Sequence, residues 1–181
     1  MQSAGEDVMT MSAAEFIGAS ATKQDRSRMR ELTALAYIVV FDALKLDYGA
    51  DEARSEKERK QCSARAGAAA DYLFGREPSS RAVEALDLAR EQEAARNWLL
   101  RNARMRELVL ESLRVLNVLN EHDHTRTGLV GEGLVMAYGQ GSFRAPDVAT
   151  YDALVHDAIY SLPLHAQQGI FYAWAKTQTC H

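Results

Sequence analysis

Imidazole and carboxylate groups concentrate in two short stretches of this chain: Glu121-His122-Asp123-His124, and Asp152 with His156, followed by His165. These groups are the usual ligands of zinc, manganese or iron, and they also serve as acid and base in hydrolysis. His122 and His124 are separated by one residue, so both reach a single ion from an extended backbone. Asp152 and His156 lie four apart, the spacing that puts two side chains on one face of a helix. A site joining His122, His124, Asp152 and His156 would hold a divalent transition metal and would suit a small hydrolase-type enzyme. The plainer use of the first pair is a solvated helix C-terminus, where histidines favour the negative end of the dipole. That plainer use is the preferred expectation, with the metal as the alternative.

Other chemistry is weaker. Asp123, Thr125, Thr127, Gly128 and Val130 follow the spacing of an EF-hand loop, but its last ligand place holds Leu134 instead of a bidentate glutamate. Gly131 with Gly133, and Gly139 with Gly141, have the look of a phosphate loop. They lack the preceding strand and the following lysine, the nearest cation being Arg144. Arg96, Arg101, Arg104 and Arg106 form a basic cluster beside Trp98 and Asn102. On a helix they fan around more than half the circumference, with Glu107 and Glu111 close behind, and ion pairing is their expected use. No Gly-x-Ser-x-Gly elbow occurs, and neither Cys62 nor Cys180 has an evident activating partner. Tyr160, Phe171, Tyr172 and Trp174 recur at helical spacings near the end of the chain. Core packing is their plain reading, and a docking or dimer surface is the functional one.

The elements that must position these residues are helices. With 3 prolines and 11 glycines in 181 residues, the chain lacks the frequent turn residues of a sandwich or barrel. Ser12 and Glu15 have the form of a capping box before a short helix. Apolar steps of three and four residues predict a helix from Asp25 to Tyr48 with Gly49 as its cap. The run Ala34 to Phe41, which alone could be a buried strand, continues that period. A third helix is predicted from Ala50 to Phe74, closing at Gly75, with an alanine-rich second half suited to close packing. Pro78 and the serines at 79 and 80 start a long segment to Glu121, apolar on several sides, with a break at Asn97 or Asn102 as an option. Pro146 opens a helix reaching about Leu162, and Pro163 separates it from a last one, Leu164 to about Lys176.

Composition bounds the rest. An apolar fraction of 47% and a charged fraction of 25% are ordinary for a globular chain. The net charge of −4 is interleaved along the sequence, without the positive face that phosphate binding needs. Two widely spaced cysteines imply no disulfide framework. The N-terminus carries Glu6 and Asp7 where a signal peptide would be positive. The longest apolar run is far short of the roughly 18 residues that span a bilayer. The expected protein is therefore cytoplasmic. Residues 1–11 form a flexible N-terminus, and residues 12–181 form one all-α domain. That domain is a bundle of about five to seven helices around a long central apolar helix, 80–121. Its expected function is that of a non-enzymatic interaction protein: a regulator, adaptor or inhibitor. The expected partner is another protein or a second copy, contacted through Arg101, Arg104, Phe171, Tyr172 and Trp174. Nucleic acid and membrane are not expected partners, and no cofactor is expected beyond the alternative divalent metal.

Overall fold

The computed structural model describes residues 22–120 and 146–179. Among them the chain is all-α: seven helices and one 3₁₀ turn, with no strand. No helix among the described residues is long and apolar enough to cross a membrane. The capping box at Ser12, the calcium-like spacing and the glycine pairs lie outside the described residues.

Helix α1, Lys23–Asp47, starts where Thr22 Oγ1 accepts the Asp25 N–H at 3.0 Å. Its apolar residues repeat at three- and four-residue steps, so Met29, Leu32, Ala36, Val39, Ala43 and Leu44 form one broad buried stripe. Val39 and Val40, which alone would suit a strand, are completely buried within it. The helix ends at Tyr48, and Gly49 turns the chain at φ 89°, a conformation costly for any residue with a Cβ. A 3₁₀ turn, Ala50–Glu52, then leads to α2, Glu56–Leu73. Ala66, Ala69 and Ala70 are fully buried, and small side chains let α2 lie close against α1. At its end Gly75 N–H donates to Tyr72 O and Arg76 N–H to Asp71 O, a Schellman closure with Gly75 at φ 68°.

The stretch 80–121 is not one long central helix. It is divided into α3, Ser80–Ala85; α4, Leu88–Arg101; and α5, Ala103–Leu119. Leu86 and Asn102 have extended backbones at the two breaks. Each break is followed by a side-chain cap: Asp87 Oδ1 accepts from Arg90 N–H, and Asn102 Oδ1 from Met105 N–H. Asp and Asn compete for backbone donors in this way, which favours caps over helix interiors. The division also explains how a segment apolar on several sides becomes buried. Helix α4 turns its face to α2, while α5 turns another to α1 and to α6, Val148–Tyr160. Trp98, Leu99, Leu108, Val109, Val115 and Leu116 are all covered within the chain. The central element is α1, which packs on α2, α5, α6 and the last helix, α7, Leu164–Thr179.

Three hydroxyls cross the middle of the core. Tyr151 of α6 sits 2.8 Å from Ser112 Oγ of α5 and donates to Thr33 Oγ1 of α1 at 3.2 Å. Thr33 and Ser112 also reach the carbonyls of Met29 and Leu108 in their own helices. Four contacts share three protons, so Tyr151 strengthens the junction without being indispensable to its partners. Burial pushes the Tyr151 hydroxyl up to about 12, against about 10 in an unfolded chain. The native state keeps this proton where the unfolded chain releases it. The stabilisation is therefore complete below about pH 10 and is lost as pH climbs towards 12. Urea unfolding should show a decline of about 2 kcal/mol between about pH 9 and 11.5 from this group, and Tyr151→Phe should remove that share. An equally steep decline in the variant would refute the assignment. Burial also raises Tyr37 and Tyr48, which add to the alkaline loss in both proteins.

Candidate functional site

The last two helices carry the residues that point to function. Helix α6 buries Tyr151, Val155, Ala158 and Ile159 and ends at the turn Ser161-Leu162-Pro163. The turn is held by the Gln167 side-chain amide, which donates to Leu162 O at 2.8 Å. Helix α7 then anchors through Ala166 and Ile170, with Trp174 half-buried against the core. These positions step by four and use one side of the helix. The other side carries Leu164, Phe171 and Tyr172, which are 67%, 39% and 66% exposed, and Tyr160 at the end of α6 is 62% exposed. The rings of Tyr160 and Phe171 lie 6.5 Å apart, and His156 lies at the same distance from Tyr160. Helix α7 contains no acidic residue, and its one lysine, Lys176, rests over the Tyr172 ring at 4.7 Å. An exposed helix normally presents charge to water. This one presents Leu164, Phe171 and Tyr172 among the polar His165, Gln168 and Lys176. The core expectation thus applies to Trp174 alone of the four aromatics; Tyr160, Phe171 and Tyr172 are exposed.

Of the four metal candidates, Asp152 and His156 lie among the described residues. Asp152 and His156 do share a face of α6, with His156 Nδ1 2.7 Å from Asp152 Oδ1 and 2.9 Å from its carbonyl. Both neighbours are acceptors, so that nitrogen carries the proton. The other carboxylate oxygen of Asp152 accepts from Arg28 Nη2 at 3.2 Å, and Arg28 also reaches Glu31 at 3.0 Å. Asp152 therefore orients His156 and ties α6 to α1. His122 and His124 lie outside the described residues. His165 is directed elsewhere, its Nε2 3.0 Å from Asp51 Oδ2. Among the described residues no three His, Cys, Asp or Glu side chains are grouped to hold a metal ion.

Three arginines of the cluster hold carbonyl or hydroxyl acceptors within the fold. Arg96 donates to Tyr72 Oη at 2.9 Å, Arg104 to the Asp157 carbonyl at 3.1 Å, and Arg106 to the Leu100 carbonyl at 2.9 Å. Arg104 thereby ties α5 to α6. Arg101 is exposed at the end of α4. Cys62 is half-buried, its thiol directed at the Tyr48 carbonyl at 3.3 Å.

Sequence reasoning passed over Leu164 and the exposure of α7. The signal was available: once Ala166, Ile170 and Trp174 are assigned inward, Leu164, Gln168, Phe171 and Ala175 must point out. It also passed over Asp47, Asp51 and Glu52, which converge on the α6–α7 turn only in three dimensions. No family model, curated protein or solved structure matches the chain.

Proposed function

We propose that this chain is a non-enzymatic α-helical interaction protein, a regulator, adaptor or inhibitor, that binds a protein partner through the outer face of α7 and the adjoining end of α6. One observation carries the reading: Tyr160, Leu164, Phe171 and Tyr172 are exposed together on a helix pair whose inner faces pack on α1 and α5. Aromatic side chains at the centre of an interface supply most of its binding energy, because they bury large area with few rotatable bonds. Tyr160, Leu164 and Tyr172 do little for the fold, since most of their surface remains in water.

That contrast defines the experiment. A photo-crosslinking amino acid at position 171 or 172 should give a discrete adduct in cells, and one at the exposed Arg81 or Glu93 should not. Leu164→Asp with Tyr172→Glu should abolish the adduct while changing stability by less than about 0.5 kcal/mol per site, the usual effect of a surface substitution. Equal labelling at the control positions, or an adduct indifferent to the charged substitutions, would remove this reading.

A further inference from the structure

We propose that the groove between the end of α1 and the α6–α7 turn receives an arginine or lysine side chain carried on an apolar segment of the partner protein. The inference rests on the interaction reading above and adds the partner's chemistry to it. The groove has a volume of about 430 Å³. Its floor is apolar, formed by Leu46, Trp98, Met105 and Leu162, of which Trp98 and Met105 are buried. Its rim carries the exposed carboxylates Asp47, Asp51 and Glu52, and no Lys or Arg lies among its lining residues. Apolar floor with anionic rim complements a long basic side chain, whose alkyl stem lies along apolar surface while its charged head reaches the carboxylates.

Asp51 is met by His165 at 3.0 Å, but local stability does not explain Asp47. Asp47 is the last residue of α1, at the negative end of the helix dipole, where a cation is favoured and an anion is not. Lys45, in the same last turn, is paired with Asp42 at 3.5 Å. Gly49, in its left-handed conformation, then folds Asp51 and Glu52 back beside Asp47. A cation from outside would relieve what the helix end leaves uncompensated. The position also fits. Ser161, Leu162 and Pro163 line the groove, Tyr160 and Leu164 flank them in the chain, and His165 reaches Asp51 across the junction. Groove and aromatic face therefore meet at one turn, and one bound segment covers both.

The test uses the full chain and two short labelled helical peptides of equal length, one of leucine and arginine, the other with glutamate in place of arginine. Fluorescence anisotropy should show the leucine–arginine peptide binding at least about tenfold more tightly, the scale of rim charge complementarity. Neutralising the rim with Asp47→Asn, Asp51→Asn and Glu52→Gln should weaken that peptide about tenfold. A control with Glu84→Gln, Glu93→Gln and Glu107→Gln has the same net charge, all three sites being exposed, and should bind like the parent. Far-UV circular dichroism verifies that each variant is folded. Equal binding by the rim and control variants, or no preference between the two peptides, overturns the groove. Phe171→Ala with Tyr172→Ala is the separate arm for the aromatic face. If it abolishes binding while the rim variant does not, the groove fails and the interaction reading stands. If the rim variant alone weakens binding, the groove stands and the aromatic face is the part to abandon.

Discussion

Phe74→Ala should lower the stability of this fold by about 4 kcal/mol, the cost of emptying a large aromatic site in a packed core. Phe74 is completely buried at the end of α2 and meets the edge of Tyr37 of α1, ring centroids 5.4 Å apart at 73°. Tyr37 is itself held on two further sides: its hydroxyl donates to Asp71 Oδ1 at 2.6 Å, and the Arg76 guanidinium lies 4.1 Å from its ring centroid. Removing Phe74 therefore leaves a cavity that Tyr37 is not free to fill. The loss is a large part of the stability of an ordinary domain. It corresponds to a melting temperature lower by roughly 8–16 °C for a chain of this size. Calorimetry and urea unfolding measure it directly. A loss under about 1 kcal/mol would mean that α1 and α2 collapse into the vacated space, against the restraint inferred for Tyr37.

The second large effect concerns a buried charge. Glu91, in the first turn of α4, has 5% of its surface exposed, and its Oε1 accepts from Arg65 Nε of α2 at 3.0 Å. Arg65 is about one-third exposed (32%) and lies over the Tyr48 ring, 4.4 Å from its centroid. Arg65→Met keeps most of the stem but strands the carboxylate, whose Oε2 has no hydrogen-bond partner even in the parent. Breaking such a pair costs about 3 kcal/mol, the lower end of the usual range, because Arg65 is partly solvated and Glu91 gains from the helix N-terminus. Adding Glu91→Leu to that variant should recover more than half of the loss, since the buried charge is then gone. A double-mutant cycle by urea unfolding is the measurement. If Arg65→Met costs under about 1 kcal/mol, water reaches Glu91 and the pair is not a buried one.

How legible these features were depends on the range of the interactions behind them. The ends of α1 and α2 were readable because Gly49 and Gly75 act locally, through backbone conformations that a Cβ disfavours. Ser79 and Pro163 were readable as boundaries for the same reason: a cap and a missing donor are properties of a few consecutive residues. The breaks at Leu86 and Asn102 were harder. Asp87 and Asn102 are tolerable inside a helix or competent as caps, and the choice falls to packing, which sends α4 against α2 and α5 against α1 and α6. The arginines show the same limit. Their spacing suggested ion pairs, yet Arg96 and Arg104 found acceptors 24 and 53 residues away in the sequence.

The candidate site divides along that line too. Phe171, Tyr172 and Trp174 were identifiable as a cluster from helical spacing, but spacing does not say which side of α7 is covered. The structure buries Ala166 and Ile170 and leaves Leu164, Phe171 and Tyr172 in water. The Asp152–His156 pair was legible as one helix face, while the Arg28 guanidinium that occupies its carboxylate comes from α1, 124 residues earlier.

From the sequence alone, then, follow the all-α class, most helix boundaries and the absence of a long enough apolar span, because periodicity, capping and composition are local. Only the tertiary structure decided that α1 is the centre, that the segment 80–119 is three helices, and that Phe171 and Tyr172 face outward near an acidic groove. The physical reason is that burial and charge complementarity belong to pairs of elements. Which face of a helix is covered depends on partners far along the chain, and no window of sequence contains them.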